Sequence, residues 1–323
     1  MEVSPLFYAG FIAFIVAMLL VDLKFFHAEE HEPTIKESAT WVAVWVSLAI
    51  LFGIGILLTE GSSHAGQYFA GYLIEYSLSV DNMFVFVVIF SYFSVPRAYQ
   101  HQVLFYGILG AIVSRGVFIA LGTALIHSFE WVIYVFGAFL IYTAYRVAKG
   151  TAEEINPEDN PILKWVRKRT PTTHTFDGQK LFTHENGRRV ATPLFIVLIF
   201  VEITDILFAV DSIPAIFGVT NDSFIVLTSN VFAILGLRAL YFLLAGGMKR
   251  LHLLNYGLGI ILAFVGSKML LEAVDVHVPV WLSLTVIVSV LAITTLASFI
   301  LPPRTPPSME DDEPNPAPAE DAG

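Results

Sequence analysis

The 323-residue chain contains no cysteine and few charged residues. Without cysteine the chain can form no disulfide, offers no thiolate to a metal ion and has no thiol for redox chemistry. Charged residues make up 14% and hydrophobic residues 56% of the sequence, whereas about 25% of an average soluble domain is charged. This composition excludes an ordinary soluble domain. Half of the net charge of −10 comes from the tail after Leu301, and we expect no nucleic-acid partner.

The chain also lacks the alternating segments of about ten residues that form a membrane β-barrel. Its hydrophobic residues come instead in runs of about 18 to 25, enough to cross a hydrocarbon layer of about 30 Å as a helix. The sequence therefore predicts an all-α polytopic membrane protein with about nine transmembrane helices, in contact with the lipid bilayer. The predicted spans are 5–22, 39–58, 70–93, 102–125, 131–148, 191–218, 223–246, 253–273 and 279–301.

The basic residues predict the orientation of these spans. Of the 18 lysines and arginines, three lie well inside predicted spans, and the other 15 lie in loops or at helix ends on one side of the membrane if the N-terminus is outside. Because cytoplasmic loops carry an excess of Lys and Arg, we expect an integral protein of the plasma (inner) membrane with its C-terminus in the cytoplasm. The polar loop 149–190 would then be cytoplasmic, as a small folded element or a mobile loop.

An internal repeat is visible in the acidic residues. A shift of 130 residues (205 − 75 and 211 − 81) places the pair Glu75 and Asp81 on the pair Asp205 and Asp211. A mid-span arginine and a Tyr-x₂-Gly-x₈-cation pattern also recur, although two apolar helices can resemble each other by chance. Each copy has three spans, so the second is inverted relative to the first, which is typical of secondary transporters with a site at the repeat interface.

The repeat gives a division of the chain in which spans 1, 2 and 9 are peripheral. The predicted units are two N-terminal helices at 1–69, the first three-helix repeat at 70–148, the cytoplasmic loop at 149–190, the second and inverted three-helix repeat at 191–273, the ninth helix at 274–301, and a disordered, acidic, proline-rich cytoplasmic tail at 302–323.

Five carboxylates lie inside the predicted spans, and each costs at least about 2.5 kcal/mol at the bilayer centre. They are Glu75, Asp81, Glu202, Asp205 and Asp211. Three cations inside spans, Arg115, Arg238 and Lys268, can pair with them, hold them in place or gate access, which leaves two negative charges (5 − 3) uncompensated. Either two carboxyl groups are protonated, or a divalent cation completes the neutralisation, or the pairs are purely structural.

The ligand types around these acids favour a hard metal ion. Asn82 and Ser212 stand beside them, and no histidine lies near either acidic segment. Carboxylate and other oxygen ligands suit Mg²⁺, Ca²⁺ and Mn²⁺. Glu202 and Asp205 are three residues apart and neighbour each other on a helix. Pro214 leaves the carbonyl of Val210 without its helical hydrogen bond. The helix is then either broken here, with freed carbonyls as further oxygen ligands, or merely kinked.

Two segments resemble the signatures of the TerC family of integral membrane proteins, from Glu75 to Pro96 and from Phe200 to Pro214. The resemblance covers the membrane portion, and the length and span number are similar to the Alx-type branch. It implies manganese efflux from the cytosol, within a superfamily that includes lysine exporters. Carried over by position, the acidic residues of the family are Glu75, Asp81, Glu202, Asp205 and Asp211, with Asn82 and Ser212 beside them.

The leading hypothesis is therefore a proton-coupled exporter of Mn²⁺ or a similar hard divalent ion, with no resident cofactor and no enzyme activity. No nucleotide-binding motif indicates ATP drive. The main alternative is a membrane-protein assembly or metalation factor that works with the secretion machinery. An amino-acid exporter also remains open, and so does the oligomeric state.

Overall fold

The fold was analysed in a computed structural model of the chain. It describes residues 5–26, 34–129, 131–148, 170–173, 175–185, 187–244, 253–272, 274, 276 and 278–301, and within these ranges a few side chains, Asp81 among them, are not described. The predicted tail and the first part of the predicted cytoplasmic loop therefore lie outside the described residues.

The described chain is mostly helical. In order, its elements are α1 Pro5–Phe26, α2 Ile35–Glu60, α3 Ser62–Tyr92, α4 Arg97–Ser128, α5 Val132–Ala148, β1 Phe182–Glu185, β2 Arg188–Ala191, α6 Pro193–Phe217, α7 Ser223–Leu235, α8 Leu237–Leu244, α9 Leu254–Glu272 and α10 Val280–Ile300. The predicted all-α class therefore holds apart from one two-stranded sheet.

Among the described residues, five helices are long and apolar enough to cross a membrane, or six if α7 and α8 form one bent span. The other three predicted spans coincide with shorter apolar stretches, Leu6–Val21, Val132–Val147 and Tyr256–Leu271. The membrane class is confirmed, whereas the number of nine spans stays a prediction. Helices α3 and α4 extend past their predicted spans, because hydropathy detects only the apolar part of a helix.

Local sequence explains where several helices begin and end. At α2, Thr34 accepts from the backbone N–H of Glu37 while the Glu37 carboxylate accepts from that of Thr34, which is a capping box. At α6, Pro193 occupies the first turn, where its missing N–H costs nothing. Helix α3 ends with Ser94 at a φ of 50° and a bond from Val95 N–H to the Phe90 carbonyl, a Schellman-type end followed by proline.

The six central elements pack in pairs. Helix α3 packs against α7, α4 against α6, and α5 along α9, while α3 also contacts α6. Exchanging α3 with α6, α4 with α7–α8, and α5 with α9 maps this set of pairs onto itself, as two related halves would. The inverted orientation of the halves stays a prediction. Within the most apolar 18-residue stretch of each helix, 62% of α3 is buried, compared with 22% of α2 and 11% of α10. Helices α2 and α10 are therefore peripheral.

The helix break in the second half lies at Gly236 and not at Pro214. Helix α6 continues through Pro214 without interruption, so of the two interpretations of this proline, a broken helix is wrong. Helices α7 and α8 instead meet at Gly236 with a bend of 41°. A Cβ at Gly236 would lie 3.3 Å from the Cβ of Trp45, so the absence of a side chain lets α2 approach the bend closely.

A β-hairpin precedes α6. Strands β1 and β2 pair antiparallel with Phe182 opposite Ala191, and Gly187 in the turn has a φ of +74°, a conformation that favours glycine. The Asn-Gly step between two short runs is a hairpin signature that the sequence analysis did not use. Asp177 accepts from Thr183 at 2.7 Å and from Lys180 at 3.0 Å, and these bonds hold the pKa of its carboxyl below the usual value.

The crossing of α5 and α9 gives a test of the packing. A Cβ at Gly266 would lie 2.8 Å from the carbonyl oxygen of Gly137 on α5, too close for the helices to keep their separation. We expect Gly266→Ala to destabilise the protein by about 1–3 kcal/mol through overpacking, measured by thermal unfolding in detergent. Gly55→Ala on α2 is the matched control, because a Cβ there meets nothing within 4 Å. Equal stability of the two variants would contradict the close crossing.

Candidate functional site

Three charged side chains from three helices meet in the centre of the bundle. Arg115 of α4 donates from Nη1 to Oε1 of Glu75 on α3, and from Nη2 to Oδ1 of Asp205 on α6 at 2.9 Å. A further bond joins Nε of Arg115 to Oδ2 of Asp205 at 3.3 Å. The guanidinium thus makes a two-pronged contact with Asp205, the geometry that a planar fork of donors favours. The sequence predicted Arg115 as a pairing residue but did not assign its partners.

Neutral polar side chains join this group. Ser79 of α3 donates to Oε1 of Glu75 at 3.4 Å, and two further side chains come from α6 and α7. Ser212, on the same helix as Asp205, accepts from Nη1 of Arg115 at 3.2 Å. Residues seven apart lie on the same face of an α-helix about two turns from each other, and the guanidinium of Arg115 contacts both Asp205 and Ser212. Asn230 of α7 donates from Nδ2 to Oε2 of Glu75 at 3.1 Å. We call Glu75, Arg115, Asp205, Ser212 and Asn230 the central cluster.

The central cluster is enclosed by protein. The exposed fractions are 0% for Glu75, 1% for Arg115, 4% for Asp205 and 0% for Asn230. A cavity of about 10 Å³ borders Asp205 between α3, α4, α6 and α8, which is room for about one water molecule. Access from either side of a membrane therefore requires helices around the cluster to move apart.

The other two described acids on α6 lie outside the central cluster. Glu202 is half-buried, and its carboxylate lies against Gly110 of α4, where an added Cβ would overlap it. Asp211 is also half-buried and accepts a hydrogen bond from Thr143 of α5 at 3.2 Å. Among the predicted ligands, the structure brings Glu75, Asp205 and Ser212 together and places Glu202 and Asp211 on the flanks toward α4 and α5.

The remaining predicted residues are all in the central helices. Asn82 is buried on α3, one residue after Asp81, whose side chain lies outside the described part of the structure. Arg238 and Lys268 are buried on α8 and α9, and neither is without a partner. The three basic residues predicted from the sequence are thus all held inside the bundle.

Within the part of the chain that is described, no three carboxylate or histidine side chains come close enough together to hold a metal ion. Two of the acids, Glu75 and Asp205, pair instead with a cation of the protein itself, Arg115. The side chain of Asp81 lies outside the described part and is not covered by this statement. The predicted ligand set therefore stays a prediction, with its members Glu75, Asp81, Asn82, Glu202, Asp205, Asp211 and Ser212.

Sequence analysis missed Asn230. The signal was present, because Thr228, Ser229 and Asn230 interrupt the apolar run from Phe224 to Leu237, and a polar side chain in a membrane span is costly. The candidate site was predicted from the charged residues that recur in the internal repeat. Asn230 has no counterpart among those residues and no sequence neighbour with a charge.

The ion pair predicts a specific pattern of stabilities. Arg115→Met leaves two buried carboxylates without their cation, and we expect a loss of about 3–5 kcal/mol. Adding Glu75→Gln and Asp205→Asn removes the uncompensated charges and should recover part of that loss. Thermal unfolding in detergent measures both effects, with Ser229→Ala as the control because its hydroxyl only donates to the Val226 carbonyl of its own helix. A triple variant no more stable than Arg115→Met would contradict the pairing.

Comparisons with known proteins identify a family for the chain. Residues 60–305 match the model of the integral membrane protein TerC family. The chain is 50% identical over 309 residues to an uncharacterized membrane protein of Myxococcus xanthus, covering 95% of this chain and 96% of the relative. It is 48% identical over 301 residues to Alx of Escherichia coli K12, whose name proposes a membrane-bound redox modulator, covering 90% and 93% of the two chains.

A plant protein is similar as well. The chloroplastic thylakoid membrane protein TERC of Arabidopsis thaliana is 46% identical over 270 residues, covering 84% of this chain and 70% of the relative. No solved structure matches the chain. The family match includes the whole central cluster, and the chain belongs to the TerC family of integral membrane proteins.

Proposed function

We propose that the protein is a transporter that exports a hard divalent metal ion, Mn²⁺ first among them, from the cytosol. The observation that carries the proposal is the central cluster, in which carboxylates from two helices already bind a cation, the guanidinium of Arg115, at an enclosed point inside a membrane protein. Oxygen ligands that converge on one cation can bind another. The proposal includes no catalytic role and no resident cofactor.

The charge balance of the core supports a divalent substrate. The core contains four described acids and three buried cations, Arg115, Arg238 and Lys268, so the count leaves one negative charge (4 − 3), and Asp81 makes it two. Because uncompensated charge inside a bilayer costs several kcal/mol, either protons or a divalent ion must balance it. Alternation between these two states is a physical basis for exchanging a metal ion against protons.

The ligand chemistry supports a hard ion, and the family resemblance supports manganese among such ions. Carboxylate, hydroxyl and amide oxygens suit Mn²⁺, Mg²⁺ and Ca²⁺. The name of Alx refers to redox modulation. The 323 residues here contain no cysteine, so any effect of this chain on redox state would not come from thiols of its own. Transport of a redox-active metal ion is a route by which a cysteine-free membrane protein would alter the redox state of a cell.

In this mechanism Arg115 gates the site. The guanidinium and a metal ion cannot bind the same oxygens of Glu75 and Asp205 at once, because both are positively charged and need the same space. Loading therefore requires Arg115 to release at least one carboxylate while the helices around the enclosed cluster part on one side of the membrane. Alternating access between the two predicted repeats, with the N-terminus outside the plasma membrane, would complete the cycle.

Flux into proteoliposomes tests the proposal. We expect Mn²⁺ transport by the wild type, and a loss of about tenfold or more in Glu75→Gln and Asp211→Asn, since losing a ligand or its support commonly costs 10–100-fold in metal affinity. Asp81→Asn should behave in the same way. Glu60→Gln, at the exposed end of α2, changes the same kind of group outside the core and should transport normally.

Size-exclusion chromatography and circular dichroism must first show that each variant is folded. Folded variants of Glu75, Asp81 and Asp211 with wild-type flux would overturn the acidic site. A wild-type protein that moves none of Mn²⁺, Mg²⁺ and Ca²⁺ would overturn transport of a hard divalent ion. Copurification of secretion machinery in that case would support the assembly or metalation factor.

A further inference from the structure

The side chain of Asn230 has one hydrogen-bonding end in use and one without a partner. Its Nδ2 donates to Oε2 of Glu75 at 3.1 Å. Its Oδ1 is buried and has no hydrogen-bond partner in the described structure. A buried acceptor that is left unpaired costs about 1–3 kcal/mol, so native structures rarely keep one without a reason.

Two other buried polar residues of the bundle show how such groups can be satisfied. Thr228, two residues before Asn230 on α7, donates to the carbonyl of Phe224 at 2.8 Å, so its hydroxyl is satisfied within its own helix. The buried amide of Gln100 uses both ends, donating to the Val95 carbonyl and accepting from the hydroxyl of Tyr241, each at 2.9 Å. Asn230 differs from both, because its oxygen is at a charged cluster and is not used there.

We propose that Oδ1 of Asn230 is a ligand of the transported cation. This inference rests on the proposed function and names a ligand that the sequence did not. Both ends of the amide belong to one planar group, so the contact of Nδ2 with Glu75 places Oδ1 within reach of a cation held by that carboxylate. The oxygen is the electron-rich donor that a hard cation requires.

The chemistry of an amide suits this position. The acids of the core already exceed the buried cations, so a further carboxylate would add repulsion whenever the site holds no metal ion. A neutral amide oxygen adds a ligand without adding charge. Asn230 also brings α7 to the cluster, so a bound cation would join α3, α6 and α7, whereas Arg115 joins α3, α6 and α4.

A second role would explain the hydrogen bond alone. Asn230 would then only position Glu75, and its nitrogen would be the functional atom. The two roles make opposite demands on substitutions, because Asn230→Asp keeps an oxygen donor but loses the amide nitrogen, while Asn230→Ala loses both.

Binding of Mn²⁺ to the purified full chain, followed by titration calorimetry, separates the roles. If Oδ1 is a ligand, Asn230→Ala should bind Mn²⁺ about tenfold more weakly than the wild type, and Asn230→Asp should bind at least as tightly as the wild type. If the residue only positions Glu75, Asn230→Asp should bind Mn²⁺ more weakly than the wild type, as Asn230→Ala does, because both variants lack the amide nitrogen that donates to Glu75. That result would overturn the inference.

Controls keep the result interpretable. Thr228→Val removes a buried hydroxyl from the same helix and should leave Mn²⁺ affinity unchanged. If Asn230→Ala does not fold, Asn230→Ser replaces it, since a serine hydroxyl can bond back to the preceding turn as that of Ser229 does, and it should show the same loss. Wild-type affinity in a folded Ala or Ser variant would overturn the inference alone, whereas a wild-type protein that binds no Mn²⁺ would overturn the proposed function with it.

Discussion

The fold depends on the pairing of one buried guanidinium with two buried carboxylates. Each of these charges would cost several kcal/mol if left alone in a low-dielectric interior, so α3, α4 and α6 must meet at the level of Glu75, Arg115 and Asp205. Helices in lipid gain little from the hydrophobic effect when they associate. The ion pair therefore fixes which helices are neighbours and how far each is rotated about its own axis.

Close packing around this pair depends on small residues. The absence of a side chain at Gly110 leaves room for the carboxylate of Glu202 against α4, and Gly137 and Gly266 let the backbones of α5 and α9 approach each other. Gly236 does the same for α2 at the bend between α7 and α8. These positions allow polar groups to lie inside a bundle whose outer faces are apolar, as contact with lipid requires.

The same arrangement has the properties that a cation transporter needs. Its buried carboxylates come from several helices, so small relative movements of the helices would change their geometry together. In the proposed transporter, Arg115 would keep two of these carboxylates paired when no substrate is bound, and the excess of acidic residues would be balanced by a divalent ion or protons. The chain belongs to the TerC family, and because it contains no cysteine, it has no thiol for redox chemistry.

The sequence by itself determined the membrane class, the approximate positions of the helices, the acidic and basic residues of the core and the family. Hydropathy and charge can be read from the order of residues alone. Because a charge in lipid is costly, Glu75, Arg115 and Asp205 can be identified as unusual without knowing how their helices pack. The tertiary structure alone decided that these three bind one another, that Glu202 and Asp211 stand on the flanks, that Asn230 joins the cluster, and that the break is at Gly236. Such details depend on helix rotation and packing between residues far apart in the chain, since Glu75 and Asn230 meet only after α3 and α7 have packed.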